Sequence, residues 1–127
     1  MLVNTFTPVV IFALNRADEE EDLAVIKAEL GIHGRAALHG CYKDDCELSY
    51  LLPITEGITL DKVLDLAYKY EQEVVLYLDN QRSAYMVHTE DGAKEYIGTY
   101  KPVCESVAKK QKSYTYDPIN NSYYAVV

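Results

Sequence analysis

The chain is short of positive charge: 12 Lys and Arg stand against 20 Asp and Glu, a net charge of −8. Phosphate backbones are held by basic faces, so no nucleic acid is expected as a partner. A cationic small molecule suits the balance, and carboxylate mimicry of DNA is the weaker reading of the same charge. No apolar run reaches the roughly 20 residues that a bilayer-spanning helix needs, so no membrane partner is expected either. A glycine-rich phosphate loop and a GxSxG elbow are both lacking, and His33, His39 and His88 do not fall at metal-ligand spacing. Cysteine is scarce. Cys41, Cys46 and Cys104 cannot all pair with one another, and no signal-peptide pattern opens the sequence, so a reducing cytoplasm is the expected home. Cys41 and Cys46 are not spaced as a zinc pair and no second pair follows. They read as small buried or half-buried side chains.

What remains is an apolar content of 49% in 127 residues, enough for one folded domain with a core of its own over residues 1–127. Thr7 to Leu14 (TPVVIFAL) is a continuous β-branched run of strand length and reads as a central strand. Asn15 or Asp18 offers a helix N-cap, and Glu19, Glu20, Glu21 and Asp22 crowd the first turn, where the helix dipole favours anions. Leu23, Ile26 and Leu30 share a face, and Gly31 can close the helix. Ala36 to Tyr42 and Glu47 to Ile54 read as strands around the knot Lys43-Asp44-Asp45. Thr59 caps a second helix with Leu60, Val63, Leu64 and Ala67 as its stripe, and it runs to about Tyr70. Val74 to Leu78 and Ala84 to His88 are strands about the turn Asp79-Asn80-Gln81-Arg82. The order is that of an α+β, ferredoxin-like βαββαβ sandwich with an additional strand, its antiparallel sheet covered by helices on one face. Beyond Glu90 the pattern weakens. Tyr96 to Val103 suits a short strand. Lys109, Lys110 and Lys112 mark a flexible link. The tyrosine-rich tail, about residues 105–127, is expected to pack on its own domain or on a neighbouring subunit.

Tyr42 and Glu47 flank the knot. With Lys43 to Cys46 as a four-residue loop they would close the hairpin opposite each other on one sheet face. Such a pair is either an exposed cross-strand contact or a carboxylate beside a phenol, placed for a cation or for proton traffic. Cys41 with His39 is a weaker nucleophile and base pair, because no third group orients it.

The stretch GCYKDD followed by Glu47, and the stretch LAYKYEQEVVLYLDNQRSAYMVH from Leu66 to His88, resemble the phage-encoded S-adenosylmethionine lyases, formerly described as S-adenosylmethionine hydrolases. The likeness runs from about Gly31 to His88, and Tyr42, Glu47 and Glu71-Gln72 carry most of it. The resemblance implies cleavage of S-adenosylmethionine to 5′-methylthioadenosine and homoserine lactone, which starves restriction and modification systems of methyl donor. It implies catalytic roles for Tyr42 and Glu47, no metal or other cofactor, and a cytoplasmic homotrimer with active sites between subunits. Gln72, Asn80 and Gln81 are weaker candidates for contacts to the adenosine part. Gln72 could equally cap a helix, and Asn80 and Gln81 suit plain turn chemistry. The competing readings are a non-catalytic nucleotide-binding module and an acidic anti-restriction protein that acts through its surface.

Overall fold

A computed structural model describes residues 7–14, 18–31, 38–42 and 45–127, without the side chains of Tyr42 and Asp45. The cap candidate Asn15, His33 and the Lys43-Asp44 part of the knot lie outside the described residues. Within them the order is β1 (Val9–Phe12), α1 (Glu19–Leu30), β2 (Leu38–Tyr42), β3 (Asp45–Pro53), α2 (Leu60–Lys69), β4 (Val74–Leu78), β5 (Ser83–His88), β6 (Lys94–Val103), α3 (Glu105–Ala108), β7 (Ser113–Asp117) and β8 (Ser122–Val126).

The helices start and stop where their residues direct. Asp18 Oδ1 accepts the Glu20 N–H at 2.8 Å, and Gly31 closes α1 at φ 74° while its N–H bonds the Lys27 carbonyl. Thr59 Oγ1 accepts the Lys62 N–H at 3.3 Å to open α2. At the far end of α2, Glu71 takes up φ 64°, a left-handed position more often filled by glycine.

The sheet is where the sequence reading fails. An open ferredoxin-like sheet with helices on one face would end in two free edges. Instead the strands close into a barrel in the order β1-β3-β2-β7-β8-β6-β5-β4. Every neighbouring pair is antiparallel. Two segments cause the difference. The tail is a hairpin: Tyr114↔Ala125 through Asp117↔Ser122 join β7 to β8, and β7 then pairs with β2. Its turn is held by Asp117 Oδ1, which accepts the N–H groups of Ile119 and Asn120. The other segment is β6. Its first half pairs with β5, and Tyr100 to Val103 pair with β8. The change of partner follows Gly98, at φ 136°, beside a register shift at Ala84/Tyr85. A Cβ at Gly98 would lie 2.8 Å from the Val127 carbonyl oxygen, so both the backbone angle and the space require glycine.

Alternation along each strand then makes two cores. One face of the wall packs on the helices: Val10, Phe12, Tyr50, Leu52, Val75 and Val87 meet Ile26, Val63, Leu66 and Ala67. The other face fills part of the barrel, with Val9, Ile11, Leu76, Leu78, Ala84, Tyr100 and Tyr124 in contact. Strand β1 is buried throughout because it serves both. Burial of each large aliphatic side chain contributes about 1.5–3 kcal/mol.

One polar pair joins the helical layer to the wall. The Tyr50 hydroxyl donates to Asp22 Oδ2 at 2.7 Å, and Asp22 is fully buried in the first turn of α1. Burial pushes the Asp22 carboxyl above its ordinary range; the Tyr50 bond pulls it down and the charge of Asp18 pushes it further up. A carboxyl whose folded pKa is raised favours folding fully below its ordinary value and loses that contribution as pH rises through the folded value. The melting temperature of the native chain relative to Asp22→Asn is therefore expected to fall as pH is raised from about 3.5 towards neutrality. A difference that is flat or rises with pH would show that the carboxylate is well solvated.

Candidate active site

The barrel is not filled to both ends. At one end, after β4, the chain turns under its own side chains. Arg82, buried and at φ 64°, donates to the carbonyls of Thr7 at 3.0 Å and Asp79 at 3.1 Å, tying the β4–β5 turn to the approach to β1. Tyr100 and Tyr124 stack across the inside, 5.5 Å apart and 10° from parallel. Burial holds the Tyr100 hydroxyl far above its usual pKa, and it hydrogen-bonds Thr115. Beyond this floor a cavity of about 970 Å³ is lined by residues from all eight strands. Its inner wall is apolar, with Ile11, Leu76, Ile97 and Val126. The charged lining groups, Glu47, Glu73, Glu95, Lys110 and Lys112, together with His88, come from the strand ends and loops at the opposite rim. The volume lies at the upper end of the range for small-molecule sites, and the layout is the usual one, mostly apolar with a few polar groups.

The hairpin β2–β3 supplies the candidate carboxylate. Its register is Gly40↔Glu47, Cys41↔Cys46 and Tyr42↔Asp45, so Tyr42 and Glu47 are not opposite each other as a four-residue loop would place them. Glu47 pairs with Gly40 instead. The backbone of Tyr42 pairs with Ser113 at the cavity rim. Glu47 is half-buried and lines the cavity.

Between these positions the directly paired Cys41, buried, and Cys46, exposed, form a disulfide with a Cα–Cα distance of 4.0 Å. Residues read from the sequence as two small side chains thus cross-link the hairpin that carries Tyr42 and Glu47. Cys104 stays a free, exposed thiol, lowered in pKa by its hydrogen bond with the Ser106 hydroxyl.

Gln72 also reaches the cavity. Its Nε2 donates to the Leu14 carbonyl at 2.6 Å, so the side chain pins the α2–β4 junction to the end of the first strand segment. Its backbone N–H continues the helix end, bonding the Ala67 carbonyl at 2.9 Å. Asn80 and Gln81 are not brought to this place. They occupy the β4–β5 turn at the opposite end of β4, exposed, where Asp79 Oδ1 accepts the N–H groups of Gln81 and Ser83. The cavity also presents groups that the sequence reading passed over: Gly40, Ser49, Glu95 and Thr115. A signal existed for Gly40, since a glycine inside a strand marks a close approach or an opening. Thr115 alternates with Tyr114 and Tyr116, a period-2 pattern in the tail that the abundance of tyrosine hides.

The model of the S-adenosylmethionine lyase family matches residues 12–127, and the chain belongs to that family. The match starts in β1 and takes in the β7–β8 hairpin, well beyond the stretch from Gly31 to His88 on which the likeness is legible by eye. No curated protein matches the chain. No described helix is long and apolar enough to cross a membrane.

The cysteine chemistry can be checked directly. Without reductant an alkylating reagent is expected to label Cys104 alone, with Cys41 and Cys46 reacting only after reduction, as read by peptide mass spectrometry. Labelling of all three thiols in the untreated chain would remove the cross-link.

Proposed function

We propose that the chain cleaves S-adenosylmethionine to 5′-methylthioadenosine and homoserine lactone at the rim of the barrel cavity. The observation that carries this reading is the half-buried Glu47 on the wall of a cavity of about 970 Å³, in a chain of the S-adenosylmethionine lyase family. The substrate is a sulfonium cation with an ammonium and a carboxylate, and it suits a rim rich in carboxylates over an apolar interior.

The chemistry asks little of the protein. The substrate's own carboxylate oxygen attacks its γ-carbon and forms the C–O bond of a five-membered lactone. The C–S bond breaks, and its electron pair leaves with sulfur as the neutral thioether of methylthioadenosine. No water is consumed. Holding the methionine part in this geometry can lower the barrier by about 7–11 kcal/mol in favourable cases. Glu47 pairs with the ammonium, which keeps the carboxylate free to attack, and Tyr42 positions the methionine part from the adjoining rim. Gln72 acts at the site mainly by holding the cavity wall to Leu14. The activity lowers the methyl donor available to restriction and modification enzymes in the cytoplasm of a bacterial host. A homotrimer in which neighbouring subunits close over the cavity mouths fits a site that opens at a rim, and light scattering is expected to report three chains. A fully active monomer would place the whole site in one chain.

Mass spectrometry of S-adenosylmethionine incubated with the purified chain and a chelator tests the reaction. Early formation of methylthioadenosine with homoserine lactone, faster than spontaneous decay, is the expected result. Homoserine appearing before any lactone would mean attack by water, and unchanged substrate would end the lyase reading. Glu47→Gln and Tyr42→Phe should each lower turnover by about 10- to 100-fold, the scale of one hydrogen bond to a charged group. Rates equal to the native chain in both would remove these roles.

A further inference from the structure

The strand that carries Glu47 is weakly held at the place where the carboxylate sits. Strand β3 divides in two. Tyr50 to Pro53 pair with β1, whereas Asp45 to Ser49 pair with β2 and, among the described residues, with no strand on their other side. The partner of Glu47 is Gly40, which offers no side chain to pack across the pair. A ladder with one neighbour and a glycine near its middle specifies its register poorly, and a slip by one residue would turn Glu47 away from the cavity. The next pair along this ladder is Cys41↔Cys46, and it is covalent. The two cysteines are separated by 5 positions, so the bond closes a short loop, constrains little of the unfolded chain and acts chiefly on the hairpin itself. Its two ends differ in access: Cys41 is buried and Cys46 is exposed.

In reducing compartments disulfides are mostly transient, and their exchange depends on the access of a thiolate to one sulfur. We propose that Cys41–Cys46 is an exchange site for low-molecular-weight thiols, and that its redox state sets whether Glu47 is held at the cavity. The attacking thiolate forms an S–S bond with Cys46 Sγ, the exposed sulfur. The cystine bond breaks, its electron pair goes to Cys41 Sγ, and that sulfur takes a proton. A second thiolate attacks the small-molecule sulfur of the mixed disulfide and leaves with it as a small-molecule disulfide. The electron pair of the broken bond passes to Cys46 Sγ, which takes a proton. Two thiols are oxidised to one disulfide, and the cystine is reduced to two thiols. The small-molecule disulfide drives the same steps backwards. Cys41 and Cys46 are positioning residues that act through Glu47, and the oxidised chain is the active form. The effect on turnover rests on the lyase reading; the exchange and the loosening of the strand do not.

The test uses the Cys104→Ser chain, in which the hairpin cysteines are the only ones left. The chain is equilibrated across ratios of reduced to oxidised glutathione. Alkylation with peptide mass spectrometry reads the bond, methylthioadenosine release reads turnover of S-adenosylmethionine, and hydrogen exchange reads the amides of 45–49 and 50–53. Turnover is expected to fall about 10-fold or more as the bond opens, the scale of a misplaced group. Bond and turnover should share one midpoint, and both should return on reoxidation. Exchange should quicken in 45–49 and not in 50–53, with the circular dichroism of the oxidised chain retained. The mixed disulfide with glutathione is expected on Cys46. A chain with both Cys41→Ser and Cys46→Ser should match the reduced chain at every ratio, which separates the bond from any effect of glutathione on the assay. Constant turnover while the bond opens would overturn the switch and leave the lyase reading standing, as would free thiols at both positions in excess oxidised glutathione. Loss of turnover with global unfolding would overturn it too, since the bond would then be a staple of the whole fold. A chain inactive at every ratio would overturn the lyase reading, and unchanged exchange in 45–49 on reduction would in that case overturn the clamp as well.

Discussion

The architecture depends on one bend. β6 must leave β5 and reach β8, and it does so past Gly98, whose backbone lies in a region that residues with a Cβ rarely adopt and whose bare Cα lies against Val126 and Val127. Without that change of partner, β8 would have no second neighbour and the β7–β8 hairpin would hang from β2 as an open edge. Unpaired edges are a liability, and closure removes them. The bend also costs backbone pairing locally, as the register shift at Ala84/Tyr85 shows. The closed ring offsets this by satisfying every strand on both sides.

Closure changes what the two sheet faces mean. In an open sheet with helices on one side, the other face needs a partner or water. In this barrel the second face becomes an interior, and its contents decide the chemistry. Where large side chains meet, at Leu78, Tyr100 and Tyr124, the interior is solid. Where Gly40, Ser49 and Thr115 stand in adjacent strands, small residues leave room. The cavity is thus a consequence of side-chain size along a register, not of a separate loop or lid. Glu47 reaches it because the β2–β3 register sets the glutamate opposite a glycine. The Cys41–Cys46 cross-link holds that register within the same hairpin.

The helical layer stays legible in conventional terms. Asp18, Gly31 and Thr59 punctuate α1 and α2 as their chemistry predicts, and the stripe of α2 meets the wall where it should. The buried Asp22 is the exception. It belongs to the acidic run that crowds the first turn of α1, yet it turns inward to the Tyr50 hydroxyl. No local pattern distinguishes it from Glu19, Glu20 or Glu21, because the partner that selects it is 28 residues away.

Short-range physics settled much of this protein from the sequence alone. Strand and helix order through β5, the caps, the buried run of β1 and the family likeness around Tyr42 and Glu47 all arise from residues within a few positions of each other. The tertiary structure decided the rest. The tail could not be read as a hairpin, because its strands are mostly tyrosine, serine, threonine and aspartate, which suit either face. Closure could not be read, because it depends on β6 choosing β8 at long range. The placing of Glu47 opposite Gly40, and of Asn80 and Gln81 far from it, depends on register, and a shift in hairpin length moves every side chain it carries. Local residues specify elements, while only their pairing creates an inside.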